Sequence, residues 1–213
     1  MDSETPFRIA IVAVLFPIFL IGSYHRLQAA KSGEKISHRE EGYLLAAMLR
    51  LSALVAAVVV STYLLAPERV AWAHIPLPAP VRWVSIAVGF GCSGLMYWTL
   101  STLGRNLTDT VVTRSNATLV THCPYGWVRH PFYVTGTLLL ISIAGIAANW
   151  LVFLCGAVPF VLLAIRTPKE EQMLLARFGE SYQDYCERTG RFIPRFHGQN
   201  AATSSRQPQD HDA

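Results

Sequence analysis

Charged residues are scarce in this 213-residue chain: they make up 15% of it, whereas a typical soluble domain has about 25%. This shortage, with a hydrophobic content of 52%, excludes a disordered chain and a solvent-exposed coiled coil. Cysteines are also few, and the four are scattered without a C-x-x-C pair or a cysteine–histidine spacing that suits zinc. We therefore predict no disulfide framework and no metal site, and the class that remains is an integral membrane protein.

Five apolar runs are long enough to be membrane-spanning helices. They are residues 6–24, 44–65, 81–103, 131–148 and 151–165. At 1.5 Å per residue they are roughly 22 to 34 Å long, against a hydrocarbon core of about 30 Å. Barrel strands would alternate apolar and polar residues, and these runs do not. The sequence predicts an all-α, polytopic membrane protein with five transmembrane helices.

Basic residues near the ends of the spans predict the orientation of the chain. They cluster in residues 26–39, 105–129 and 169–195, which we therefore expect on the cytoplasmic side. Five spans then place the N-terminus outside and the C-terminus in the cytoplasm. The net charge of +4 is explained by the attraction of these segments to anionic lipid head groups, so no nucleic-acid partner is expected.

A first polar cluster precedes the fourth run. Pro131 suits the first turn of a helix, so Arg129 and His130 are expected at a helix N-terminus. Free amides and the helix dipole favour an anionic ligand there. In the alternative interpretation, Arg129 reaches lipid phosphates and His130 is an ordinary interfacial histidine.

A second polar cluster follows the fifth run. The fourth and fifth runs form a hairpin whose two arms have similar lengths. Arg166 is therefore expected at the same depth in the membrane as His130. If the helix continues through Pro168, Arg166 and Glu170 lie on one face. Alternatively, Thr167 caps a new helix with Pro168 in its first turn, and Glu170 only reaches back to a backbone amide. The spacing alone does not decide between the two.

An amphipathic pattern follows over residues 174–188, where apolar and aromatic side chains recur at three- and four-residue spacing opposite charged ones. It predicts a cytoplasmic helical segment that either anchors on the membrane surface or covers the site as a lid. Gly179 is expected to separate two short helices. The polar residues 196–213 are expected to form a disordered tail.

Together these residues resemble the isoprenylcysteine carboxyl methyltransferase family, prokaryotic members included, within the broader group of membrane phospholipid and isoprenylcysteine methyltransferases. The shared motifs are LGRN (103–106), PY (124–125), RHPFY (129–133), Gly136, RTPKEE (166–171), FGESY (178–182), Tyr185 and RTGRF (188–192). The resemblance implies S-adenosylmethionine as the methyl donor, bound at the cytoplasmic side, and a lipophilic or prenylated acceptor that arrives through the membrane. It also implies a catalytic region at 104–195, after three N-terminal helices in 1–103.

The resemblance further implies the site residues. Cofactor contacts are assigned to Thr121, His122, Cys123, Tyr125, His130, Tyr133 and Glu170. Catalytic roles are assigned to Arg166 and Glu170, and substrate contacts to Arg166 and Asn106. Arg50 is a further candidate substrate contact, chosen for its position about two turns into the second run and not for the resemblance. Arg50 is costly inside a span unless it reaches the membrane surface or lines a polar pocket. Cys123 stands where the family usually has glycine, and it is strained if that position needs a positive φ.

The chemistry suits these residue types. Methyl transfer from a sulfonium mainly requires positioning and desolvation, with no metal and, for a carboxylate acceptor, no general base. A guanidinium such as that of Arg166 can hold both carboxylate oxygens, whereas it would repel a phospholipid ammonium. We therefore expect an isoprenylcysteine-like acceptor. Alternatively, Arg166 holds the carboxylate of the cofactor and Glu170 receives an amine. The short chain and its similarity to compact prokaryotic members imply a prokaryotic inner membrane or, in a eukaryote, the endoplasmic reticulum. The alternatives are a phospholipid (ethanolamine) N-methyltransferase, a nicotinamide-dependent membrane reductase and a non-catalytic membrane scaffold.

Overall fold

The computed structural model of the chain describes residues 4–30, 43–103 and 118–195. Asn106 and the predicted tail lie outside these residues. The regular elements within them are helical, which confirms the all-α class. They are α1 (Thr5–Ala30), α2 (Tyr43–Leu65), a 3-10 helix (Pro67–Ala73), α3 (Ala79–Leu103), α4 (Pro131–Ala147), α5 (Trp150–Phe178) and α6 (Glu180–Arg188).

Four of these helices, α1, α2, α3 and α5, are long and apolar enough to cross a membrane. α4 is also apolar but has only 17 residues, or about 26 Å at 1.5 Å per residue. The chain is therefore an integral membrane protein by its helices. Length and composition support four spans in the described residues. The fifth predicted span is α4, and it is a span only if this shorter helix also crosses the membrane.

The hairpin of α4 and α5 turns at Asn149. The Asn149 side chain accepts hydrogen bonds from the backbone amides of Leu151 and Val152, at 3.0 and 3.2 Å, and so caps α5. Its Nδ2 donates to the carbonyl of Val70 at 3.0 Å. Ala148, just before it, takes the left-handed conformation with φ 47°. These bonds reverse the chain within two residues, so that α5 runs back along α4.

α5 does not stop at the end of its apolar run but continues through Pro168 to Phe178. Thr167 lies inside the helix, because its hydroxyl donates to the carbonyl of Leu163 at 2.9 Å. The interpretation of Thr167 as a helix cap is therefore wrong, and Arg166 and Glu170 lie on one continuous helix. Gly179, with φ 54°, separates α5 from α6, so the first of the two predicted short helices is the end of a long one.

α4 packs between α3 and α5. Small residues permit the close approach: an added Cβ at Gly145 would lie 2.4 Å from the Ser85 hydroxyl on α3, and one at Gly136 would lie 2.3 Å from the ring of Phe160 on α5. Because α4 is in contact with both neighbours, its N-terminus lies near the C-terminal end of α3 and beside the end of the apolar run of α5.

An ion pair that sequence analysis did not single out joins four elements at the opposite end of the bundle. Arg82 on α3 is 5% exposed and pairs with Glu4, which directly precedes α1, at 2.7 Å. The same guanidinium donates to the carbonyl of Ile146 near the end of α4. Tyr63 on α2 donates to Glu4 at 3.3 Å. The buried apolar cluster beside it holds this end of the bundle together: Phe7, Ile11, Val14, Val70, Ile86, Ile143, Ile146 and Val152.

Candidate active site

The loop before α4 carries the first group of predicted site residues. Its Cys123–Pro124 peptide bond is cis, and Ala148 is the one non-glycine residue in the described part of the chain with a positive φ. The strain expected at Cys123 is therefore absent. Thr102 at the end of α3 donates to the carbonyl of Cys123 at 3.3 Å, which fixes the loop to α3.

His130 ends this loop, and Pro131 occupies the first turn of α4 as the sequence predicts. His130 is buried, with 6% of its surface exposed. Its imidazole stacks on the ring of Tyr133, one turn further on, with 5.3 Å between centroids and 9° between planes. The two rings thus form one stacked pair at the N-terminus of α4.

Glu170 meets this pair from α5. The hydroxyl of Tyr133 donates to Oε2 of Glu170 at 2.8 Å. Arg166 lies one turn before Glu170 on the same helix and is buried, with 8% of its surface exposed. A carboxylate, two aromatic rings and a buried guanidinium therefore lie together where α4 begins and the apolar run of α5 ends.

Glu171, the next residue on α5, contacts Arg129, His130 and Arg191. Its Oε1 accepts from Nε of Arg129 at 2.9 Å and lies 3.3 Å from Nε2 of His130. Its Oε2 accepts from Arg191. The hydrogen bond to Glu171 raises the pKa of the Arg191 guanidinium above its ordinary value, so Arg191 is charged and Glu171 is its counter-ion.

A C-terminal strap, residues 189–195, completes the site. It pairs with the loop as a short parallel ribbon: the backbone amides of Arg129 and His130 donate to the carbonyls of Gly190 and Arg191, at 2.8 and 3.1 Å. This pairing brings Phe192 within 5.7 Å of the His130 ring. The strap thus covers the aromatic pair with the ring of Phe192.

α6 holds the strap and the loop together. Its two buried residues are Tyr182 and Tyr185, and the Tyr185 hydroxyl donates to the carbonyl of Tyr125 at 2.6 Å. Burial raises the pKa of Tyr185, so this hydroxyl stays protonated and remains a donor. Arg129 donates to the carbonyls of Cys186 and Thr189 at the end of α6. The tyrosine face of α6 therefore contacts protein, and its placement at the membrane surface remains a prediction.

The predicted site residues divide into two sets. Tyr133 contacts both His130 and Glu170, Arg166 is buried one turn before Glu170, and Tyr125 is buried beneath α6. The other residues are exposed: Thr121, His122 and Cys123 on the loop, and Arg50 on α2. The structure thus brings together buried and half-buried residues of the predicted site, and the roles of all of them remain proposals.

Sequence analysis missed Glu171, Arg191 and Phe192 as parts of the site. A signal for Glu171 was present, because Arg129 at a buried helix start needs a counter-ion and two adjacent glutamates were available. The pairing of the strap with the loop had no such signal, since the two segments are 60 residues apart in sequence.

We expect Gly190→Ala to release the strap. A Cβ at Gly190 would lie 1.8 Å from the backbone carbonyl oxygen of Ile193, a contact that the backbone has to move to relieve. Hydrogen exchange of residues 189–195 should therefore rise by at least about tenfold, which corresponds to about 1.4 kcal/mol of lost local stability. Gly94→Ala on α3, where an added Cβ meets no atom within 4 Å, is the matched control. Unchanged exchange of the strap in Gly190→Ala would show that its turn tolerates a side chain.

The fold and the cluster define a class: a helical integral membrane protein with a buried polar site at the shared end of α4, α5 and the strap. The model of the "Isoprenylcysteine carboxyl methyltransferase (ICMT) family" matches residues 85–176, a range that contains His130, Tyr133, Arg166, Glu170 and Glu171. This match confirms the resemblance seen in the sequence.

Curated relatives carry several names. The cobalt-zinc-cadmium resistance protein CzcN of Cupriavidus metallidurans is 31% identical over 103 residues, covering 48% of each chain. The methanethiol S-methyltransferase of Mycobacterium tuberculosis is 33% identical over 73 residues, covering 34% of this chain and 29% of its own. The protein-S-isoprenylcysteine O-methyltransferase of Tribolium castaneum is 38% identical over 90 residues, covering 39% of this chain and 30% of its own. The matched segment spans about half the length of these relatives or less.

A solved structure matches over most of the chain. It is that of the eukaryotic intramembrane Ras methyltransferase, an isoprenylcysteine carboxyl methyltransferase. The TM-score is 0.52 with 22% identity, covering 87% of this chain and 67% of the other. At this identity the match shows a shared fold.

Proposed function

We propose that this chain is a membrane-embedded, S-adenosylmethionine-dependent methyltransferase of the isoprenylcysteine carboxyl methyltransferase family. The acceptor we propose is the carboxylate of a lipophilic, isoprenylcysteine-like substrate. The observation that carries this proposal is the contact of His130, Tyr133 and Glu170 at one end of the α4–α5 hairpin, inside the range that the family model matches.

The side chains fit the methyl donor chemically. The donor supplies an already activated methyl group on a sulfonium cation. A carboxylate and aromatic faces stabilise such a cation, and Glu170 with the stacked His130 and Tyr133 provide both. The strap and the buried tyrosines of α6 exclude water from the same side, which strengthens these interactions.

The acceptor is proposed to meet Arg166. A buried guanidinium attracts an anion strongly and can hold a carboxylate by two parallel hydrogen bonds. Such a contact orients one carboxylate oxygen toward the methyl group without any proton transfer, since a carboxylate is ionised at neutral pH. Arg166 lies at the inner end of the apolar run of α5, where a lipid-borne substrate can reach it from the membrane.

The proposed topology has five spans, with the N-terminus outside and the C-terminus cytoplasmic. Its support is the close packing of α4 against Ser85 of α3 and Phe160 of α5, because a helix packed between two spanning helices shares their depth. About 26 Å of helix is short for the hydrocarbon core but is accommodated by local thinning. The proposed location is a prokaryotic inner membrane, or the endoplasmic reticulum if the source is eukaryotic.

Calorimetry of S-adenosylmethionine binding to the detergent-purified protein tests the cofactor site. We expect saturable binding that weakens more than about tenfold, or 1.4 kcal/mol, in His130→Ala and in Glu170→Ala. Each change removes one side chain from the group formed by His130, Tyr133 and Glu170. Glu187→Ala on the exposed face of α6 is the matched control. No binding at millimolar cofactor, by protein shown to be folded, would overturn the methyltransferase proposal.

A second acceptor class is favoured by one observation, the match to a methanethiol S-methyltransferase. A thiolate is also anionic and would be attracted to the same guanidinium. Transfer of labelled methyl groups to S-farnesylcysteine, to a small thiol and to phosphatidylethanolamine separates the possibilities. Label in the carboxyl methyl ester supports the first proposal, and label in a thioether supports the second.

A further inference from the structure

Glu171 makes contacts that the proposed chemistry does not use. It is 11% exposed in its side chain and lies against Arg129 and His130, whose side chains are 9% and 6% exposed. Arg191 reaches the same carboxylate from the strap. Nearly all of the carboxylate is therefore engaged with protein, and it is a poor candidate for a direct contact with substrate.

The state of the His130 ring follows from this arrangement. A carboxylate with two guanidinium partners is ionised, and an ionised carboxylate only accepts hydrogen bonds. The 3.3 Å approach of Nε2 of His130 to Oε1 of Glu171 is therefore favourable only when Nε2 carries the proton. In a neutral imidazole the proton on Nε2 leaves Nδ1 as an acceptor.

The two adjacent glutamates hold the stacked rings from two sides. Glu171 contacts His130 and Glu170 contacts Tyr133, while the two rings lie parallel. A rotation of the His130 ring would separate the stack and disturb the Tyr133–Glu170 hydrogen bond. The geometry of the proposed cofactor-binding side chains thus depends on Glu171 through His130.

We propose that Glu171 is a positioning residue that holds a proton of His130 on Nε2, so that in the neutral ring Nδ1 accepts a hydrogen bond from an amino group of the methyl donor. The proposal rests on the proposed function for the identity of the donor. The tautomer itself is a property of the ligand-free protein.

Nitrogen-15 NMR of histidine-labelled protein in detergent at pH 8 tests the tautomer directly, with the His130 signals assigned from a His130→Gln variant. We expect a single Nε2–H tautomer in the wild type and in Glu171→Gln, whose amide oxygen still accepts from Nε2. Glu171→Ala should give an exchanging mixture of both tautomers. An Nδ1–H tautomer or an imidazolium in the wild type, or unchanged signals in Glu171→Ala, would overturn the proposal.

Binding of S-adenosylmethionine to the same variants separates positioning of His130 from anchoring of the strap. We expect Glu171→Ala to bind at least about tenfold more weakly than wild type, and Glu171→Gln to stay within about threefold. Arg191→Met removes the strap contact but keeps the contact with His130, so it should weaken binding clearly less than Glu171→Ala does. If Arg191→Met weakens binding as much as Glu171→Ala, Glu171 acts through the strap and the proposal is wrong.

The two proposals fail in different ways. Wild-type protein that shows the Nε2–H tautomer but binds no S-adenosylmethionine would contradict the proposed function. It would also contradict the proposed hydrogen bond between Nδ1 of His130 and the methyl donor. Wild-type protein that binds the cofactor while Glu171→Ala binds it equally well would contradict the positioning role alone.

Discussion

Glu4→Ala is expected to lower the free energy of unfolding by about 3 kcal/mol. Glu4 is the counter-ion of Arg82, whose Nη1 and Nη2 donate to its two oxygens at 2.8 and 2.7 Å. Arg82 also lies 3.5 Å from the centre of the Phe7 ring and is almost fully buried. Removal of the carboxylate leaves a guanidinium charge in an apolar environment, which costs more than the loss of the hydrogen bonds.

Unfolding by sodium dodecyl sulfate in mixed micelles measures this effect. Glu68→Ala, at an exposed position in the 3-10 helix, is the control and should change the free energy by less than about 0.5 kcal/mol. The double variant Glu4→Leu/Arg82→Met should recover part of the loss, because it removes both charges together. A loss below about 1 kcal/mol in Glu4→Ala would show that water already compensates the charge of Arg82.

Arg166→Lys is expected to reduce kcat/KM for S-farnesylcysteine by at least about 100-fold, or 2.7 kcal/mol. Lysine keeps the charge but cannot form two parallel hydrogen bonds to a carboxylate, and its ammonium is more strongly hydrated. The affinity for S-adenosylmethionine should change by less than about threefold, since the proposed cofactor contacts lie on Glu170, Tyr133 and His130.

Methyl ester formation with labelled donor, followed as a function of acceptor concentration, checks this prediction. Arg177→Lys, at an exposed position in the last turn of α5, is the matched control and should retain full activity. Equal loss of cofactor affinity and of turnover in Arg166→Lys would assign Arg166 to the cofactor. Unchanged turnover would remove it from the site.

The helices that form the bundle could be predicted because one property, a long run of apolar residues, determines each of them. A lipid-exposed run of apolar residues has no stable alternative to a helix in hydrocarbon. The predicted run of residues 44–65 therefore coincides with Tyr43–Leu65, and that of residues 81–103 with Ala79–Leu103. The end of α5 was less predictable, because Pro168 is compatible both with a continuing helix and with a new one.

The separate contacts of Glu170 and Glu171 could not be predicted from the sequence. Neighbouring residues on a helix point about 100° apart, so Glu170 contacts Tyr133 while Glu171 contacts Arg129 and His130. Spacing alone placed a carboxylate near His130 but could not assign the rotation of α5 about its axis. That rotation depends on packing such as the contact between Gly136 and Phe160.

The sequence by itself determined the membrane environment, the helical class, the α4–α5 hairpin and the family resemblance, since each follows from composition, periodicity or motifs within short stretches of chain. The tertiary structure alone decided the Arg82–Glu4 pair, the ribbon between the strap and the loop, and the central place of Glu171. These contacts join residues 20 to 78 positions apart. Such pairings depend on how whole helices pack and rotate against each other, which no local pattern encodes.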